Sequence, residues 1–139
     1  MSMPLDELLA DFTVYEAASE QALEAAERGL ACRLPDDYRA FLLIYNGGEG
    51  FVGRHYLVLW QAEQLVRFNQ GYEVPEYAPG FVMFGSTGGG DGFAFDTRTS
   101  PYPVVEVPFI GMSLKDGFPV ADSFTRLLER MIQTEGSLF

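Results

Sequence analysis

The periodicity of the chain changes near residue 50: before it, apolar positions recur every three or four residues, and after it they gather in short runs separated by turn residues. The first pattern predicts helices. Residues 5–11 read as a short helix. Thr13 and Glu16 have the spacing of a capping box, and Ser19 serves equally as the cap of a later start. From there Ala18, Ala22, Ala25 and Ala26 make one small apolar face, and Gly29 is placed to stop the helix. The stretch LPDDYRAFLLIYNGGEG, 34–50, is the clearest segment. Pro35 suits a first helical position, where its missing N–H costs nothing, and Asp36 and Asp37 complement the positive end of the helix. Tyr38, Phe41, Leu42 and Tyr45 then form an inward stripe, and Asn46-Gly47-Gly48 offers left-handed conformations to end the helix.

Beyond residue 50 the runs YLVLW (56–60), VMF (82–84), FAF (93–95) and VVEV (104–107) are aromatic and β-branched, so they predict strands of one mostly antiparallel sheet. A helix over 61–70 interrupts them, with Ala62, Leu65, Val66 and either Phe68 or Asn69 inward. A last helix is capped by Asp122 or Ser123 and buries Phe124, Leu127, Leu128, Met131 and Ile132. The expectation is an α+β fold, residues 1–139 forming one domain with helices against one face of the sheet. No internal repeat or low-complexity tract divides the chain.

Composition supports a packed globule: 47% of the residues are hydrophobic, and twelve Phe and seven Tyr supply bulk for a core. Charge narrows the partners. Twenty Asp and Glu stand against nine Lys and Arg, a formal net of −11, with Lys115 the single lysine. Such a field repels a phosphate backbone, which argues against direct nucleic-acid binding, and attracts a basic partner. The longest apolar runs, FLLIY and YLVLW, are too short to cross a bilayer, and MSMPLDELLADF carries acids where a signal peptide carries bases. Cytoplasmic location is the expectation. Cys32 is alone, which excludes an internal disulfide.

The segment FGSTGGGDGFAFD, 84–96, places five glycines around Asp91 and raises three chemical possibilities. A phosphate loop requires a following lysine, a hydroxyl and a helix, whereas these glycines lead into a strand; a dinucleotide fingerprint fails for the same reason. Asp91 and Asp96 lack the alternating ligands of a calcium loop. Elsewhere, His55 is the only histidine and would have only Cys32 as a zinc-binding companion of its kind. No serine sits in a nucleophile elbow. The expectation is therefore no catalytic residue, no metal and no cofactor. The loop reads as a hairpin whose glycines at 88, 89, 90 and 92 allow positive φ, with Phe93 and Phe95 toward the core and Ala94 and Asp96 opposite.

Taken in order, an acidic helix running into LPDDYRAFLLIYNGGEG, then YLVLWQAEQLVRFNQGY, GFVMFGSTGGGDGFAFDTR, and PVVEVPFIGM followed by ADSFTRLLERM resemble the SUKH superfamily, named for a yeast cell-wall synthesis regulator and its bacterial relatives. The resemblance implies an α+β fold and a protein that binds other proteins. Bacterial members are read as immunity proteins, made beside toxins, often nucleases, and neutralising them by direct binding. The positions that match the family pattern are Leu34, Pro35, Tyr38, Phe41, Asn46, Gly47, Gly48, Gly85, Gly89 and Gly90, all read here as structural. The resemblance and the charge together imply a basic cognate toxin as partner. The acids expected to meet it are Glu49, Asp91 and Asp116, each placed in a glycine-containing turn, and as a second choice Glu16, Glu20, Glu24 and Glu27 along the early helix. Two other readings stand beside this one: a regulatory scaffold with a housekeeping partner, and an enzyme or small-ligand protein using a cleft near Asp91 and His55.

Overall fold

The computed structural model describes residues 4–138. One seven-stranded antiparallel sheet runs through it in the order of the chain: β1 (Asp11–Glu16), β2 (Tyr45–Val52), β3 (His55–Leu59), β4 (Phe81–Ser86), β5 (Asp91–Asp96), β6 (Val104–Pro108) and β7 (Phe118–Ala121). Six helices punctuate the strands: α1 (Leu5–Leu8), α2 (Glu20–Leu30), α3 (Asp36–Leu42), α4 (Ala62–Gly71), α5 (Val74–Tyr77) and α6 (Phe124–Gln133). A 3₁₀ turn, Leu114–Asp116, precedes β7. The expected α+β class is thus the observed one.

Two of the expected elements change identity. Residues 11–16 form a strand, so Thr13 and Glu16 lie in β1 and cap nothing; Ser19 is the cap, its hydroxyl accepting from the Ala22 amide at 3.1 Å. Alternation outcompetes helical spacing there: Phe12 is buried between exposed Asp11 and Thr13. The second change concerns Asn46-Gly47-Gly48, which belongs to β2, since α3 ends at Leu42. Its glycines serve close approach. A Cβ on Gly48, at φ +150°, would run into the Thr13 carbonyl of β1, and one on Gly47, at φ +82°, would meet the backbone of Leu59 and Trp60. Backbone proximity and a left-handed φ, the two properties that only glycine combines cheaply, fix these residues.

Gly29 is another correction. It lies inside α2, where a Cβ would press into Val66 of α4, and the helix ends instead on Ala31 in the left-handed region at φ 57°. The inward residues of α2 are Leu23 and Ala26, while Ala25 is exposed.

Helices cover both faces of the sheet, not one. Toward α3 and α6, Phe84 and Phe95 stack at 4.3 Å between ring centroids and enclose Tyr38 and Phe124 at 5.1–5.9 Å. Met83 and Ala94 precede those phenylalanines and so point to the opposite face, yet they are fully buried. There α4 and α5 pack on β4. Asn69 of α4 also completes the sheet: where β3 has diverged, its side chain accepts from the Met83 amide and donates to the Met83 carbonyl, both at 2.9 Å, in the manner of a neighbouring strand. Ala94 and Asp96 do lie opposite Phe93 and Phe95, as expected.

Candidate partner-binding surface

The face that carries α4 and α5 is covered only over β4–β6. Over β1–β3 it is open. The register aligns Asp11 with Phe51 and Phe51 with Tyr56, and aligns Thr13 with Glu49 and Glu49 with Val58. Alternation decides the side: Phe12, Val52 and Leu57 turn inward and are buried, so Phe51 and Tyr56 turn outward, 50% and 36% exposed. Tyr15 of β1, 45% exposed, shows no ring contact with them among the described residues.

These residues are ordered by one another. The Phe51 and Tyr56 rings meet edge to face, 5.2 Å apart at 82°, within the range in which aromatic pairs attract beyond simple burial. The Tyr56 hydroxyl donates to Oε2 of Glu49, and this bond, ahead of burial and the carboxylate's charge, holds the phenol above its ordinary pKa. On its other side Tyr56 abuts the glycine-rich loop, where a Cβ on Gly88 would come within 2.9 Å of the ring. Gly88 alone among the loop glycines has positive φ, +83°. Gly89 and Gly90 lack a positive φ, a Cβ on the first meeting only Thr87 Oγ1 at 3.6 Å and one on the second nothing, while Gly85 and Gly92 are fixed by tight packing against the Val58 carbonyl and against Met83 and Phe109. The hairpin expectation for the segment therefore describes the structure, and the expectation of positive φ holds at Gly88 only.

The acids singled out in the sequence are dispersed. Glu49 stands mid-strand on the open face and not in a turn. Asp91 begins β5 on the opposite face, where it is hydrogen-bonded to Glu106, the cross-strand partner of inward-facing Phe93. Burial first, then that bond and the charge of Asp91, raise the Glu106 pKa to about 7. Asp116 lies in the 3₁₀ turn and accepts from the Ser113 hydroxyl at 2.8 Å. Of the second set, Glu16 ends β1 and Glu24 is exposed on α2. Glu20 and Glu27 pair with Arg39 at 3.6 and 3.2 Å, and Glu27 also accepts from the Leu34 amide at 2.8 Å. Glu27 is thereby a tie between α2 and α3. The stripe does not present four free carboxylates.

The motif positions hold the frame. Leu34, Tyr38 and Phe41 are core, Pro35 precedes the first turn of α3, and Asn46 accepts from the Ala62 amide while donating to Glu63, both at 2.8 Å, fastening β2 to the start of α4. A polar cleft of about 270 Å³ opens near Arg54, His55, Thr87, Glu106 and Ser137. His55 Nε2–H donates to the Thr134 carbonyl beside it, tying β3 to the segment after α6. Among the described residues no group of three or more His, Cys, Asp and Glu is placed to hold a metal ion, and no helix is long and apolar enough to cross a membrane.

Residues 17–130 match the model of the SMI1 / KNR4 family (SUKH-1), and the chain belongs to that family. The uncharacterized protein YnaB of Bacillus subtilis (strain 168) is 36% identical over 76 residues, 55% of this chain; the match spans about half the length of that relative, 49%.

Proposed function

We propose that the protein is a bacterial immunity protein that neutralises a cognate toxin, a basic domain and most fittingly a nuclease, by direct protein–protein binding in the cytoplasm. The observation that carries this reading is the open half-face of the sheet, where Phe51 and Tyr56 are exposed although the same strands bury Val52 and Leu57. Large side chains ordered at the surface by mutual contacts are the usual centre of a protein interface. Family membership supports a binding role, and the net charge of −11 supports a basic partner. Of the three acids expected to meet it, Glu49 fits this face; Asp91 is engaged with Glu106 on the other, and Asp116 sits at the far end of the sheet order, beside β7.

The test is protection. The product of the adjacent gene, expressed alone and then with this chain, is expected to arrest growth in the first case only, and the two proteins are expected to copurify. Growth arrest unchanged by coexpression, with no complex, would reject the immunity reading.

A further inference from the structure

We propose that the open face of β1–β3 reads arginine side chains of a basic protein segment, with Glu49 and Asp11 as the carboxylates and Phe51 and Tyr56 as the ring surfaces. The outward residues of these strands are Asp11, Thr13 and Tyr15 in β1, Glu49 and Phe51 in β2, and Tyr56 and Val58 in β3. They include two carboxylates and no basic side chain. Arg54, at the β2–β3 turn, is directed to Glu135 at 3.7 Å. The field over the rings is therefore uncompensated and negative, and the occupant it fits is cationic.

The choice of guanidinium follows from shape. Glu49 spends Oε2 on the Tyr56 hydroxyl, which holds the carboxylate in place, and exposed Glu49 keeps Oε1 without a hydrogen-bond partner among the described residues, able to accept from a planar donor. Phe51 is the register partner of Asp11 and stands two residues along β2 from Glu49, on the same face, so an arginine that reaches either carboxylate comes beside a ring. A guanidinium stacks on an aromatic face and bonds a carboxylate at the same time, whereas an ammonium is a compact, strongly hydrated charge that does the second better than the first. Gly88 belongs to the same device, because only a residue without a Cβ at φ +83° lets the hairpin lie against Tyr56 and hold it upright. On the opposite side of the sheet the carboxyls of Asp91 and Glu106 are hydrogen-bonded to each other, and the Tyr45 hydroxyl bonds Asp6 against a Phe41 ring that is itself buried.

This inference rests on the protein-binding reading, and its test does not require the toxin. The isotopically labelled chain is titrated with an oligo-arginine amide peptide and, separately, with the same-length oligo-citrulline peptide, which keeps the shape and removes the charge. So acidic a chain will attract the first peptide somewhere, and the amide shifts say where. The expected result is perturbation centred on Gly50, Phe51, Tyr56 and Gly88, absent with citrulline, and weakened on the order of fivefold in Glu49→Gln with Phe51→Ala. Glu20→Gln with Glu24→Gln is expected to leave it unchanged. Shifts centred on α2, or on Glu73 and Glu76 of the α5 region, would overturn the assignment. So would shifts of the same face that grow with protein concentration alone, which would give the face to a second copy of the chain. A wild type that binds arginine on this face but gives no protection would reject the immunity reading and keep the surface; full protection by the Glu49→Gln, Phe51→Ala variant would reject the surface and keep the immunity reading.

Discussion

Two aromatic groups lie on the two sides of one sheet and differ in everything but composition. On one side Tyr38, Phe84, Phe95 and Phe124 are at most 1% exposed and stacked between β4, β5 and the helices α3 and α6. On the other, Phe51 and Tyr56 of β2 and β3 contact each other and solvent. The difference is set by the connections. After β3 the chain turns directly into α4, capped by Gln61 and Gln64 in a reciprocal capping box, and α4 runs beside β4, where α2 locks onto it through Gly29 against Val66. The outer helices thus pack on β4, and β1–β3 meet them only where Asn46 of β2 fastens the start of α4. A residue type does not state its role; the element that covers it does.

The largest effect tests the covered side. Phe124→Ala or Phe84→Ala removes a ring from the stack and is expected to cost about 3–5 kcal/mol, a large share of the stability of an ordinary domain. Denaturant midpoints measure this, and near-native melting of both variants would show that the stack is not the centre of the core. Next comes Gly48→Ala, which tests how the open side is held. No helix presses on β1 there, so its attachment depends on backbone approach, and a methyl at φ +150° facing the Thr13 carbonyl is expected to cost about 2–4 kcal/mol. Amide exchange of Asp11–Val14 is expected to accelerate selectively. Uniform acceleration across all seven strands would mean that β1 and the core unfold as one unit.

The same comparison explains which parts of the fold could be read in the sequence. The stripe of α6 and the Tyr38–Phe41–Leu42 face of α3 declare themselves, because burial against a single layer leaves a clean periodicity, and β4 and β5, covered on both faces, declare themselves as short apolar runs. Strand β1 hides because DFTVYE is short, and its outward residues include an aromatic that breaks the polar alternation. In β2 the glycines imitate a helix stop, since what constrains them is a neighbouring strand that local spacing does not reveal. Glu49 is expected as a contact from the charge and the family resemblance, through a glycine-containing turn that proves to be a strand. Phe51 and Tyr56 escaped because a strand predicted from hydrophobicity assigns its aromatics inward; the period-two alternation of GFVGRHYLVL, once its turn is recognised at Gly53-Arg54, would have put both outside.

Two smaller effects sharpen the account of the covered side. The Tyr38 hydroxyl is buried without a hydrogen-bond partner among the described residues, and burial drives its pKa well above the ordinary phenol range. Tyr38→Phe keeps the ring contacts and removes an unsatisfied group, so stability is expected to rise by about 1 kcal/mol. A fall would reveal a partner bound to the hydroxyl. Glu106 acts through pH. With its folded pKa raised to about 7 from a usual 4.5, the folded state holds the extra proton between those values, so the group lowers stability as pH climbs through that window. Glu106→Gln is expected to melt higher than wild type at pH 8 and to converge with it at pH 4. The opposite ordering at pH 8 would show the ionised carboxylate to be stabilising.

The smallest stability effect belongs to the open side and bears most directly on the proposed function. Phe51 is half exposed, and its one ring contact among the described residues is Tyr56, so Phe51→Ala forfeits an edge-to-face pair and little burial; the expected cost is about 0.5–1 kcal/mol. Its effect on association with a toxin partner is expected to be larger, because an aromatic at the centre of an interface loses more than 2 kcal/mol on truncation when it is a true anchor. The two numbers separate the roles proposed for the two sides: for Phe84 the folding cost is expected to exceed any binding cost, and for Phe51 the order is expected to reverse. Paired melting and binding titrations of the two variants, made at low and physiological salt, measure both. Steering by Glu49 and Asp11 is screened over about 8 Å at physiological ionic strength, so the wild-type on-rate is expected to fall with salt, while the loss caused by Phe51→Ala persists. If Phe51→Ala melts as low as Phe84→Ala, the open face is part of the core after all; if it binds as wild type, the exposed rings are bystanders and the contact lies elsewhere.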